Sequence, residues 1–248
     1  MITRKSPAEI AKMRKAGRVV AEVLALVEEE IRPGVSTAHL DALAEAYIRK
    51  AGATPSFKGY YGYPSSLCIS IDREVVHGIP GDRVLRDGQV VSVDAGAIVD
   101  GWHGDAARTF VVGDVPQAVL DLVETTRLAL EAGIAAGRPG NRIWDISAAV
   151  EDVALPHGYG IVRPYVGHGI GTAMHEEPQV PNYRTKTRGI ELAPGICLAI
   201  EPMFTLGSAD VETLADGWTV VTRDGSLAAH WEDSIAVTEN GPEVLTRL

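Results

Sequence analysis

Apolar positions recur at three- and four-residue steps through Ile10, Met13, Val20, Val23, Leu24 and Val27, the spacing of an amphipathic helix over 6–31. Ser6-Pro7-Ala8-Glu9 supplies an N-cap, a proline at the first helical position and an acid at the third. Pro33-Gly34 stops this helix. Ser36 or Thr37 caps a second one, carrying Leu40, Leu43, Ala44, Tyr47 and Ile48 to Gly52. The period then changes: over 53–113 short β-rich runs such as 67–71 and 89–96 alternate with turns.

The same order returns. Residues 116–136 read as a helix, Arg138-Pro139-Gly140 stops it, and 142–154 read as another. Arg32-Pro33-Gly34 and Arg138-Pro139-Gly140 are the same tripeptide. Residues 84–94 align with 191–201, each a turn glycine (Gly88, Gly195) followed by a β run ending on an acid (Asp94, Glu201). Two helices and a sheet, twice over, predict a pseudo-two-fold α+β domain over 1–248, with repeats near 6–113 and 116–240 and a site between them.

Composition narrows the function. With 23 Lys+Arg against 33 Asp+Glu, the net charge of −10 argues against a nucleic-acid footprint, DNA included. Cys68 and Cys197 are too few for a disulfide framework or a thiolate metal site. No apolar run approaches the roughly 18 residues of a membrane span, and the charged start lacks a signal-peptide core, so a cytoplasmic protein is expected. G-x-S-x-G and the phosphate-loop motif are missing, and His175-Glu176-Glu177-Pro178 is not H-E-x-x-H.

What remains is a set of acids in apolar settings. Asp94 follows Val-Val-Ser-Val and reads as the end of a buried strand; Asp105 precedes the β-like run 109–112. Glu201 ends Ile-Cys-Leu-Ala-Ile, and Glu232 stands beside Trp231. Taken singly, each suits a capped turn or a surface ion pair. Taken together, buried carboxylates are costly unless paired or bound to metal, and few cations are near. Four carboxylates with one imidazole would balance two divalent ions, in an oxygen-rich set suited to Mn, Fe, Co or Zn. His168 lies among glycines that let backbone approach a ligand. His77 and His175 suit either a loop or a site, while His39, His103, His157 and His230 read as ordinary surface or supporting residues.

These residues and their order, carried by 62–81, 93–110, 167–183, 193–203 and 216–238, resemble the type I, bacterial-type methionine aminopeptidases of the pita-bread metallopeptidases. The resemblance covers essentially the whole chain. It implies a pita-bread fold whose two pseudo-symmetric halves, paired helices on antiparallel sheet, hold the metal site between them. It implies two divalent ions (Co, Mn, Fe or Zn) held by Asp94, Asp105, His168, Glu201 and Glu232, with Asp105 and Glu232 bridging. Glu201, His77 and His175 would act in catalysis, and both histidines would contact substrate. Tyr60, Tyr63, Cys68, Met174 and Trp218 would line the methionine pocket or its rim.

The implied activity is removal of the N-terminal methionine from peptides and nascent chains when the second residue is small, by a monomer. The other readings are a proline-specific peptidase or a non-catalytic binding protein of the same fold. The sequence departs from the family pattern in three places. Phe57 and Met174 stand where relatives often carry Cys and an aromatic. The stretch before Trp218 carries Asp210, Glu212 and Asp216 where many bacterial relatives are lysine-rich, which weakens an expected transient ribosome contact.

Overall fold

The computed structural model describes residues 2–248. Helix α1 runs Pro7–Glu30 and α2 runs Thr37–Lys50. The Ser6 hydroxyl accepts from the Glu9 amide, and the Glu9 carboxylate accepts from the Ser6 amide at 2.7 Å, a complete capping box. Ser36 caps α2. In the second half α3 spans Gln117–Ala136 and α4 spans Ile143–Ala154.

Both helix pairs cover one face of a nine-stranded antiparallel sheet. Period-two alternation decides which residues meet them. From strand Gln89–Val99, Val91, Val93, Ala95 and Ala97 join α1 and α2 in one apolar core. From strands Cys197–Ile200 and Glu232–Thr238, Leu198, Ile200, Ile235 and Val237 join α3 and α4 in a second.

The halves correspond at single hydrogen bonds. Gly34 donates to Leu85 O at 2.9 Å and Gly140 donates to Leu192 O at 3.0 Å. Isolated bridges pair Ser36 with Val84 and Arg142 with Glu191, the positions that the sequence repeat aligns. Gly34 and Gly140 both adopt φ near +90°, which makes the repeated Arg-Pro-Gly a left-handed turn after a helix. Among the described residues, no helix is long and apolar enough to cross a membrane.

One expectation needs correcting. Asp94 does not end a strand, and Asp105 does not precede one: both lie inside eleven-residue strands, Gln89–Val99 and Trp102–Val112. These strands form a hairpin joined by Asp100-Gly101, both at positive φ. A two-residue turn of that kind matches strand twist and fixes the register.

Candidate metal centre

Register alone brings the five expected donors to one face. Ala107 pairs with Asp94 on one side and Glu232 on the other, so all three side chains share a face. Asp105, two residues before Ala107, joins them. Further along the sheet Ser234 pairs with Ala199, and Ala199 with His168, which keeps His168 on the same face. Glu201 follows two residues after Ala199, just beyond its strand. The face opposite the helices therefore gathers Asp94, Asp105, His168, Glu201 and Glu232. Neighbouring positions are tied down from behind: buried Asp233 accepts from Arg108 Nη2 at 2.7 Å, Thr246 Oγ1 at 2.7 Å and Arg247 Nε at 2.9 Å. Arg108 also donates to the Glu232 carbonyl.

His168 Nδ1 lies 2.9 Å from Gly169 O, so Nδ1 holds the proton and the Nε2 lone pair is free to bind a cation. That nitrogen stands 3.6 Å from Glu201 Oε1 and 3.8 Å from Asp105 Oδ2. The glycines beside it are needed for backbone packing. A Cβ at Gly167 would stand 2.4 Å from Ala199 O, and one at Gly169 would stand 2.3 Å from Glu177 O. They admit neighbouring backbone.

The donor set fits divalent cations. Asp94 Oδ1, Asp105 Oδ1 and Glu232 Oε1 are buried without a hydrogen-bond partner, which is costly for an anion in a metal-free protein. Asp105, His168 and Glu232 each offer one donor atom within 4.8 Å of the others, as do Glu201, His230 and Glu232. Burial first, and repulsion among neighbouring carboxylates second, push Asp94, Asp105, Glu201 and Glu232 well above the usual carboxylate range. Burial pulls the imidazole of His168 down to about 3, so it stays neutral. Bound cations would supply the missing partners and return the acids to their charged form.

Every site residue expected from the sequence lines one cavity of about 410 Å³. Its apolar end is a buried cluster of Phe57, Tyr63, Cys68 and Met174, with Tyr60, Ile79 and Trp218 against it. Cys68 pairs with Asp94 on the adjacent strand, which sets the apolar end beside the donors. Tyr63 Oη donates to the backbone, with Leu67 O at 3.0 Å and Gly78 O at 2.9 Å, and its ring meets Trp218 edge-on at 5.0 Å. Asp216, noted for its charge, accepts from the Trp218 amide at 2.8 Å and shapes the loop that presents the indole. His175 sits at the mouth with Nδ1 2.9 Å from Tyr60 Oη. His77 lies at φ +62°, rarely adopted by a non-glycine residue, with its ring 5.5 Å from Tyr165. Burial lowers His77 to about 4.

Sequence reading passed over several residues here. Phe57, noted only as a departure from the family pattern, is a wall of the cavity, and exposed Tyr61 stands at its rim. His39 and His157 are exposed, as expected. Of the two readings given for His103 and His230, the structure favours the supporting one: both are buried, His103 bonded to Ser56 Oγ at 3.0 Å and His230 Nε2 3.7 Å from Glu232 Oε2. The alternation along each strand, with Trp102 beside His103 and Ala229 and Trp231 beside His230, was the available signal.

Residues 11–239 match the profile of metallopeptidase family M24. Curated relatives include methionine aminopeptidase of Clostridium acetobutylicum, 51% identical over 247 residues with 99% of each chain covered. Methionine aminopeptidase 1 of Bacillus subtilis is 48% identical over 248 residues with 100% of each chain covered. Among solved structures, methionine aminopeptidase from Thermotoga maritima superposes with a TM-score of 0.98 at 44% identity, covering 100% of both chains. Two helix pairs on a curled sheet, with carboxylates and a histidine on its open face, are the pita-bread arrangement of these peptidases. The chain belongs to metallopeptidase family M24, whose members work with bound divalent metal.

Proposed function

We propose that the chain is an aminopeptidase that releases an N-terminal methionine when the second residue is small. One observation carries this reading: five donors on one sheet face open directly into a cavity ending in Phe57, Tyr63, Cys68 and Met174. The names of the relatives above agree with it. Two ions, of Co, Mn, Fe or Zn, would balance the four carboxylates, with Asp105 and Glu232 central, Asp94 on one side and His168 and Glu201 on the other. When bound, divalent cations polarise the scissile carbonyl and acidify water at neutral pH.

The residues divide the remaining work. Tyr60 donating to His175 Nδ1 leaves the proton on Nε2, so His175 presents an N–H to the oxygen that gains charge in the transition state. Glu201, just beyond its strand at the edge of the donor set, accepts the proton of the attacking water and passes it to the leaving amine. His77, fixed at the cavity wall, hydrogen-bonds near the scissile nitrogen. The buried sulfur and aromatic wall suits a thioether side chain. The substrates are peptides and nascent chains, handled by a cytoplasmic monomer whose acidic loop before Trp218 offers the ribosome little attraction.

Release of methionine from Met-Ala-Ser and Met-Gly-Ser should far exceed release from Met-Lys-Ser and Met-Phe-Ser, because the leaving chain passes between His77 and the His175 loop. Comparable kcat/KM across the series would overturn methionine excision in favour of a broad aminopeptidase.

A further inference from the structure

Glu176 follows His175 directly, yet its carboxylate bonds to the start of the chain. Lys5 Nζ donates to Glu176 Oε2 at 2.6 Å and to Thr3 Oγ1 at 2.9 Å, and Thr3 Oγ1 donates to the same Glu176 oxygen at 3.0 Å. The Lys5 side chain is only 4% exposed. An ammonium that deeply buried needs a fixed counter-charge, and Glu176 supplies it.

The segment carrying Lys5 is itself anchored. The Lys5 amide donates to Gly195 O at 2.6 Å, and Arg4 Nε donates to Pro194 O at 2.8 Å. Both acceptors lie just before the strand that leads to Glu201. The loop on the other side of the ion pair has the matching shape. A Cβ at Gly171 would stand 2.4 Å from Glu176 Oε1 and 2.7 Å from Lys5 Cε, so glycine there admits the pair. Glu176 Oε1 also accepts from the Ala173 amide at 3.3 Å, drawing the loop onto its own carboxylate. Between these two contacts lie Met174, buried in the apolar wall, and His175, held from the cavity side by Tyr60.

We propose that Lys5 is a positioning residue: through Glu176 it fixes the 171–176 loop so that His175 meets the reacting carbonyl. The inference rests on the function proposed above. An exposed ion pair could be lost at little cost. This one is buried, and its bonds end on the loop that carries Met174 and His175. A small displacement of a catalytic donor costs rate far more than it costs binding.

The test compares Lys5→Met in two backgrounds, with turnover of Met-Ala-Ser by the metal-loaded protein as the readout. Methionine keeps the length of the stem beside Gly171 and removes the charge and donors. In the otherwise native chain, Lys5→Met should lower kcat about 10-fold, with KM within about threefold and metal content unchanged. In the His175→Ala background the same change should cost less than about twofold, because a residue acting through His175 loses nothing once His175 is absent. An equal loss in both backgrounds would show a general structural effect and overturn the proposal, as would an undiminished kcat in the first.

Hydrogen exchange supplies a readout independent of turnover. Amides of 171–176 should exchange faster in Lys5→Met while those of 89–112 do not change; unaltered exchange at 171–176 overturns the proposal. Glu176→Gln breaks the same pair and replaces Lys5→Met in every arm should that variant not fold. If the native chain releases no methionine at all, the proposed function fails, and the exchange experiment still decides whether Lys5 holds the loop.

Discussion

Met174→Ala tests the proposed substrate pocket. The side chain is 3% exposed and packs with Phe57, Tyr63 and Cys68 at the end of a cavity of about 410 Å³. The change deletes Cγ, Sδ and Cε, roughly three methylene equivalents at about 0.8 kcal/mol each. Part of that contact is with protein, and its loss lowers fold stability by about 2–5 kcal/mol. If half of it faces a bound methionine side chain, about 1.2 kcal/mol leaves the transition-state complex, close to a tenfold fall in kcat/KM.

The enlarged wall should at the same time relieve the crowding of branched or aromatic first residues. The ratio of Met-Ala-Ser to Leu-Ala-Ser or Phe-Ala-Ser should therefore narrow by more than the methionine loss alone. Met174→Phe should act oppositely, excluding Leu-Ala-Ser most, since a misfit of one methylene is worth about 1–3 kcal/mol. The assay is kcat/KM for methionyl, norleucyl, leucyl and phenylalanyl peptides, run below the melting temperature of each variant. An unchanged ratio beside a lowered melting temperature would show Met174 to be packing alone and refute the reasoning.

Three further outcomes follow from the same geometry. Asp105→Asn keeps the shape of the side chain but removes a charge from the centre of the donor set, and should weaken metal binding and lower turnover by at least ~10³-fold, checked by metal analysis and kinetics. Tyr60→Phe removes one hydrogen bond to His175 and should lower kcat about 2–10-fold with little change in KM, the range of a single net hydrogen bond. Buried Asp94, Asp105, Glu201 and Glu232 titrate above their ordinary range without metal, and ligation needs them charged. Metal uptake must then release protons, and the rise in melting temperature on adding metal should grow from pH 5.5 to 8, seen in parallel thermal melts with and without chelator.

Much of this architecture was legible because its signals are local. Ser6 and Glu9 form the capping box that their spacing predicts, and the repeated Arg-Pro-Gly marks corresponding turns in each half. The strand boundaries were less legible: polar Asp94 and Asp105 interrupt apolar runs, so each reads as an end. Asp100-Gly101 was the better guide, since such a turn implies a hairpin in which both acids share a face. Whether His230 was a surface or a supporting residue stayed open in the sequence, because burial depends on what covers a strand, which its neighbours in sequence do not record. The Lys5–Glu176 pair joins residues 171 positions apart, beyond any periodicity or motif.

The central claim is that divalent ions on the face shared by Asp94, Asp105, His168, Glu201 and Glu232 are required to hydrolyse a methionyl peptide. The direct measurement is to strip the protein with chelator, titrate back Mn, Fe, Co or Zn singly, and follow bound ion and methionine release from Met-Ala-Ser together. The account predicts no release from the stripped protein, recovery in step with ion uptake that saturates at two per chain, and neither in Asp105→Asn. Full turnover by the stripped protein, or metal-restored turnover undiminished in Asp105→Asn, would contradict it.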